Sequence, residues 1–106
     1  MAATRLNVPR QVATGEIFTV KTLISHVMES GERRDSNGKP IPRMIVNKVV
    51  CRYNDRVVFE ADWHGGIAAN PYLAFDLRAR ESGVIEVAWI DDDGRTYSER
   101  AEIRVG

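Results

Sequence analysis

The sequence predicts an all-β fold, an immunoglobulin-like antiparallel β-sandwich of about seven strands. Three observations favour this class. Apolar and polar residues alternate with a period of two, turn signals recur about every 8–12 residues, and no stretch shows the period of about 3.6 residues that is typical of a helix. The chain has one cysteine, so it lacks the Cys–Trp–Cys signature of antibody domains, and the topology is predicted from the strand number.

The alternation is clearest in the second half of the chain. Residues 73–79 place Leu73, Phe75 and Leu77 on one face and Asp76 and Arg78 on the other. Because successive side chains of a strand point to opposite faces, the apolar set is expected in the core. The same pattern in the next two strands predicts inner positions at Ile85, Val87, Trp89, Tyr97, Ala101, Ile103 and Val105.

Four further strands are predicted in the first half, at residues 5–8 (a weak one), 17–24, 44–53 and 57–63. Residues 44–53 carry apolar side chains on both faces. This indicates either a central strand that is covered on both sides or a strand with one face covered by a second protein. Residues 29–42 are polar and contain an Asn-Gly pair and two prolines, so we expect an exposed loop or an extended hairpin tip.

Length and charge restrict the class of protein. The 106 residues predict a single domain over residues 1–106, and 15 basic side chains balance 15 acidic ones. Nucleic-acid binders usually have a basic excess, so this class is not expected. The longest uncharged stretch, residues 63–75, is too short to span a bilayer. The N-terminus lacks the apolar segment of a signal peptide, and composition by itself predicts a soluble intracellular domain.

No residue pattern in the chain predicts catalysis, a cofactor site or a metal site. Cys51 lies in a strand among apolar neighbours, as an inert buried thiol would. His26 and His64 have no third ligand at a recognised spacing, so hydrogen-bonding or contact roles are expected. The acidic run at residues 91–94 ends in Asp-Gly and predicts a hairpin turn rather than a calcium loop.

Two uncharged segments, residues 23–28 and 63–75, remain as candidates for an interface. Depletion of charge with aromatic residues and methionine is typical of the centre of a protein–protein contact. The predicted partner-contact residues are Ile24, His26, Met28, Trp63, Ile67 and Tyr72. The alternative, that 63–75 is a crossover segment packed on one end of the sandwich, stays open.

Several strings in these segments and in the loop between them resemble the SoxZ family of sulfur-oxidation proteins. They are residues 21–26 (KTLISH), 28–31 (MESG), 33–35 (RRD), 38–43 (GKPIPR) and 67–73 (IAANPYL). The similarity extends over nearly the whole chain, from about Leu6 to Val105. One departure is Val27, where the family pattern leads us to expect proline.

The resemblance implies a non-catalytic subunit with an immunoglobulin-like fold and without a cofactor. Its partner would be a SoxY-type protein, whose cysteine on a C-terminal arm carries sulfur intermediates. Other sulfur-oxidation enzymes would act on this chain only through that carrier. The resemblance also implies the periplasm, reached by export together with the partner, although the chain shows no signal peptide. Neither a nucleic acid nor a membrane is implied as a partner.

Two other functions are left open by the residues alone. One is a thiol enzyme that uses Cys51 in sulfur transfer. The other is a generic immunoglobulin-like binding module stabilised by calcium at residues 91–93. An interface without its partner could also lead the isolated chain to associate with itself.

Overall fold

Residues 3–106 are described by the computed structural model, and they form eight β-strands in two facing sheets. The strands are β1 (Thr4–Asn7), β2 (Gln11–Val12), β3 (Ile17–Ile24), β4 (Val46–Tyr53), β5 (Arg56–Asp62), β6 (Tyr72–Arg78), β7 (Gly83–Asp91) and β8 (Thr96–Val105). The all-β prediction is confirmed. No helix able to cross a membrane occurs in the described part of the chain.

The two sheets follow the immunoglobulin-like order. The smaller sheet has the order β1-β3-β6, and the larger one has the order β2-β8-β7-β4-β5. Strands β1, β3 and β6 occupy the places of strands A, B and E of the immunoglobulin sandwich, and β8, β7, β4 and β5 those of G, F, C and C′. The connections β4–β5 and β7–β8 stay within the larger sheet, and the other connections cross from one sheet to the other.

The strand that the sequence did not predict is β2. It has two residues, which is too short for a period of two to be recognised. It also departs from the antiparallel expectation, because Gln11 and Val12 pair in parallel with Arg104 and Val105 of β8. The reason is a change of sheet: the chain leaves β1, passes Pro9, and runs beside β8 in the opposite sheet.

The core lies between the sheets, and β7 supplies its centre. Ile85, Val87 and Trp89 are all fully buried, as their spacing predicted. The inward residues of β6, such as Phe75 and Leu77, are only half-buried. The difference follows from position, because β7 lies inside its sheet whereas β6 is an edge strand.

The two apolar faces of β4 have different surroundings. Val49 and Cys51 belong to the core cluster between the sheets. Val50 points to the outer face, where it lies between Ala88 of β7 and Glu60 of β5 and is buried to 6% exposure. Neighbouring side chains of this chain thus cover the outer face of β4, which supports the first of the two predicted arrangements.

Residues 29–44 form the predicted extended hairpin tip. Glu29 and Met44 exchange two backbone hydrogen bonds at its base, of 2.9 and 2.8 Å. A second bridge joins Arg34 to Pro40, and the Asp35 carboxylate accepts hydrogen bonds from two backbone N–H groups in the turn. The polar loop is therefore an ordered excursion between β3 and β4.

Candidate partner-binding surface

The two uncharged segments found in the sequence meet at one end of the sandwich. Residues 23–28 leave β3 where residues 63–75 enter β6. Leu23 pairs with Tyr72, and the Ile24 N–H donates to the Pro71 carbonyl at 3.4 Å. Residues 63–71 are the crossover from the larger to the smaller sheet, as one of the two predicted arrangements required. A crossover role and a surface role are thus compatible for this segment.

A double hydrogen bond fixes the two segments to each other. The Asn70 side chain accepts from the His26 N–H at 2.9 Å, and the Asn70 N–H donates to the His26 carbonyl at 2.7 Å. Asn70 adopts a φ of 52°, in the left-handed region that asparagine tolerates better than most residues. One side-chain and one backbone hydrogen bond within this chain therefore hold the surface at this end.

The half-buried His26 imidazole has a structural contact. Its Nδ1 accepts a hydrogen bond from the Met28 N–H at 3.0 Å, so a neutral ring carries its proton on Nε2. Met28 has a φ of 56°, and this bond helps to hold that turn. The prediction of a hydrogen-bonded histidine is confirmed for His26, whereas His64 is exposed.

Three of the six predicted contact residues do not reach the surface. Ile24 is fully buried, Met28 is 5% exposed and Trp63 is 8% exposed, and all three belong to the core cluster. In this chain the three side chains lie beneath the surface: the alternation of β3 turns Ile24 inward, and Met28 and Trp63 lie in the connections that follow β3 and β5. A contact of these residues with a partner stays a prediction. The Met28 sulfur also accepts a hydrogen bond from the Val46 N–H at 3.3 Å.

The other three predicted residues lie at the surface. Tyr72 is 61% exposed, and Ile67 and His26 are half-buried. Sequence reasoning missed Val27, which is 72% exposed beside His26. An apolar residue inside an uncharged run was the available signal for it. We call His26, Val27, Ile67 and Tyr72 the end surface.

Cys51 has neither the exposure nor the lowered pKa that a nucleophilic cysteine requires. Its side chain is fully buried in the core, as predicted. Burial raises the pKa of the thiol to about 12, since the thiolate loses its hydration there. At neutral pH the group is therefore a neutral thiol without access to solvent.

The acidic run at residues 91–94 is a hairpin turn, as predicted. The Asp91 carboxylate accepts hydrogen bonds from the N–H groups of Asp93 and Arg95, which close the turn. The Asp92 carboxylate contacts Arg43 at 2.8 and 2.9 Å and so holds the base of the hairpin tip. Among residues 3–106, no group of three His, Cys, Asp or Glu side chains is placed to hold a metal ion.

Solved structures with the same fold come from several proteins. A superoxide reductase (neelaredoxin) from Ignicoccus hospitalis matches with a TM-score of 0.75 and 17% identity, over 97% of this chain and 80% of that one. A putative superoxide reductase from Thermotoga maritima gives 0.74 and 10%, over 97% and 85%. The sulfur carrier protein SoxY from Chlorobium limicola f thiosulfatophilum gives 0.64 and 13%, over 98% and 79%. At these identities the likeness shows the fold alone.

The sequence itself identifies the family. No curated protein matches the chain significantly. The model of the family described as "Sulphur oxidation protein SoxZ" matches residues 5–102, which is nearly the whole chain and includes both segments of the end surface. On this evidence the chain belongs to the SoxZ family.

Proposed function

We propose that this chain is the non-catalytic subunit of a sulfur-carrier heterodimer and that it binds a SoxY-type protein. The observation that carries the proposal is the end surface, where Tyr72 and Val27 are exposed on an uncharged segment of a SoxZ-family chain. The sulfur carrier protein SoxY from Chlorobium limicola f thiosulfatophilum has the same fold as this chain. Membership of the SoxZ family supports work in sulfur oxidation.

The end surface has the composition and rigidity of an interface centre. Residues 63–75 contain no formal charge, and aromatic side chains are enriched where protein partners make their strongest contacts. Tyr72 presents a large ring on a strand that pairs with β3, and Ile67 packs against the core. A pre-formed surface loses little conformational entropy when a partner binds.

The chain's own thiol supports a binding role rather than a chemical one. A sulfur-transfer nucleophile must reach its substrate as a thiolate, and Cys51 is enclosed and protonated at neutral pH. In the proposal the working thiol belongs to the carrier partner. Other sulfur-oxidation enzymes then act on that partner, and this chain contributes by holding it.

Replacement of Tyr72 by aspartate tests the proposal. Tyr72→Asp places a charge on the end surface and should weaken binding to the SoxY-type carrier by at least about tenfold, since exposed aromatic anchors contribute about 2 kcal/mol or more. The matched control is Ile17→Asp, at the opposite end of β3, where Ile17 is 51% exposed. Isothermal titration gives the affinity, and thermal unfolding shows that both variants fold.

Equal affinity of the two variants and the wild type would remove the end surface from the proposal. Ile67→Asp gives a second reading at the same surface. Met28→Glu is unsuitable, because Met28 is buried and a charge there would destabilise the fold itself. Absence of any complex between the wild-type chain and the carrier would overturn the proposed function as a whole.

The proposal also covers the cell compartment in which the protein works and the oligomeric state of the isolated chain. We infer that the protein works in the periplasm, exported with its carrier, as the family resemblance implies. Cell fractionation with and without the carrier gene tests this, and retention in the cytoplasm in both strains contradicts it. Sedimentation of the isolated chain tests whether the uncovered end surface leads it to self-associate.

A further inference from the structure

The sandwich has four sheet edges, and they differ in how open they are to another strand. Edge strands carry a row of free N–H and C=O groups, and proteins usually shorten, twist or charge them to prevent pairing with other chains. Two edges here are short, since β1 has four residues and β2 has two. The remaining edges, β5 and β6, have seven residues each, and both border one cleft.

The edge of β5 is protected. Its register with β4 shifts between Cys51 and Arg52, which marks a bulge, and bulges disrupt the ladder and twist the edge. The Trp63 N–H donates to the Asn47 carbonyl, so by alternation the backbone groups of Glu60 and Asp62 face away from β4. Both of these outward positions carry acidic side chains, which discourage strand addition.

The edge of β6 has no bulge, and its outward charges are one acidic and one basic side chain, Asp76 and Arg78, where β5 has two acidic ones. Its pairing with β3 continues without a shift from Tyr72 opposite Leu23 to Arg78 opposite Ile17. The Ala79 N–H donates to the Glu16 carbonyl, so alternation turns the backbone groups of residues 73, 75 and 77 toward β3. The free ladder groups therefore belong to Tyr72, Ala74, Asp76 and Arg78.

In the immunoglobulin fold, the edge that corresponds to β6 can pair with a further strand. In constant-type immunoglobulin domains a fourth strand, D, pairs with strand E. Strand β6 takes the place of E, but within residues 3–106 no strand pairs with the side of β6 that faces away from β3. The chain instead passes from β5 to β6 directly through residues 63–71. A regular strand position thus remains open on a seven-residue edge.

We propose that β6 receives an antiparallel edge strand of the SoxY-type carrier, so that the three-stranded sheet continues into the partner. This inference rests on the proposed function and names the edge through which it operates. The solved SoxY has the same sandwich fold, matched over 98% of this chain, so a carrier of that type brings sheet edges of its own. Two sandwiches of one fold can pair edge to edge about an approximate two-fold axis.

Charge and continuity specify the partner strand. Asp76 and Arg78 lie on one outward row, so the incoming strand should place a basic residue opposite Asp76 and an acidic one opposite Arg78. Tyr72 is both the first residue of β6 and a member of the end surface. The edge therefore extends the same interface along the sandwich instead of forming a separate one.

Proline at an outward position tests the edge directly. Ala74→Pro removes an N–H that faces away from β3 and blocks strand addition, while proline is tolerated on edge strands. The affinity for the carrier should fall by at least about tenfold. The control, Glu60→Pro, makes the equivalent change on the protected edge of β5 and should leave the affinity unchanged. Equal binding of Ala74→Pro and wild type, or equal loss in both variants, overturns the proposal.

Amide hydrogen exchange of the wild-type chain gives a second test that needs no variant. In the isolated chain the N–H groups of Tyr72, Ala74, Asp76 and Arg78 should exchange fast and those of residues 73, 75 and 77 slowly. In the complex the fast set should slow by at least about tenfold. A complex that leaves these rates unchanged overturns the edge proposal but keeps the proposed function. Protection that appears in the isolated chain as its concentration rises would make a second copy the occupant.

Discussion

The contact between Asp92 and the base of the hairpin tip allows a quantitative prediction of stability. The Asp92 carboxylate accepts hydrogen bonds from the Arg43 guanidinium, from the Asn47 amide at 2.9 Å and from the Ile45 N–H at 3.1 Å. Asp92→Ala removes all of these acceptors at once. We therefore expect this variant to unfold well before the wild type.

The magnitude follows from the groups that lose their partner. Ile45 is fully buried, and a buried N–H without an acceptor costs about 1–3 kcal/mol. The half-buried Asn47 amide adds about 1 kcal/mol. The Arg43 side chain is half-exposed, so water replaces its partner and no further loss is assigned to it. The expected total is about 3 kcal/mol, or a fall in Tm of roughly 10–15 °C for a domain of this size.

Urea unfolding of the two proteins measures this difference, with Asp93→Ala as the control in the same turn. Asp93 is exposed, and its replacement should change the free energy of unfolding by less than about 0.5 kcal/mol. If Asp92→Ala also stays within about 0.5 kcal/mol of the wild type, water satisfies the Ile45 N–H and the reasoning is refuted.

The pH dependence of the same contact has a definite sign. The Arg43 guanidinium, helped by Asn47 and the Ile45 N–H, lowers the pKa of Asp92 from 3.8 to about 2. A depressed pKa stabilises the folded state above the ordinary value, and this contribution disappears as pH falls through the lowered value. The difference between wild type and Asp92→Ala should therefore be constant near neutral pH and shrink as pH falls from about 4 to 2.

Three other predictions concern the core. Cys51 should react with an alkylating reagent only on unfolding, and labelling of the native protein at the rate of a free thiol would contradict its burial. Trp89→Ala should cost about 3–5 kcal/mol in urea unfolding, and a loss below about 1 kcal/mol would be inconsistent with a fully enclosed ring. Tyr53→Phe removes a hydroxyl that donates to the Glu81 carbonyl and accepts from the Arg80 N–H, so a loss of about 1–2 kcal/mol is expected, with unchanged stability as the refuting result.

Much of the fold could be predicted because it depends on local alternation. Strands such as β3 and β7 show their inner faces in the sequence, since side chains alternate strictly and the core accepts only the apolar set. The same reasoning could not detect β2, whose two residues pair with the far end of the chain. It also could not foresee that β6 would be an edge strand, because the alternation of Leu73, Phe75 and Leu77 is the same for an edge strand and a central one.

The interface residues show the same division between local and non-local information. Absence of charge singled out residues 23–28 and 63–75, and the structure brings these segments together through Asn70 and His26. The sequence pattern could not distinguish Tyr72, which is exposed, from Ile24, which is buried, because both are apolar residues of uncharged segments. Which of them faces solvent depends on the sheet that covers each strand.

Alternation and composition, which are properties of neighbouring residues, predicted the fold class and the inert setting of Cys51, and specific sequence strings indicated the family. The tertiary structure sets which members of the uncharged segments form the end surface and which of the two long edge strands has an uninterrupted register. Both depend on contacts between residues far apart in the chain, such as the pairing of β3 with β6. Burial and edge position arise from that packing and have no signature in one strand alone.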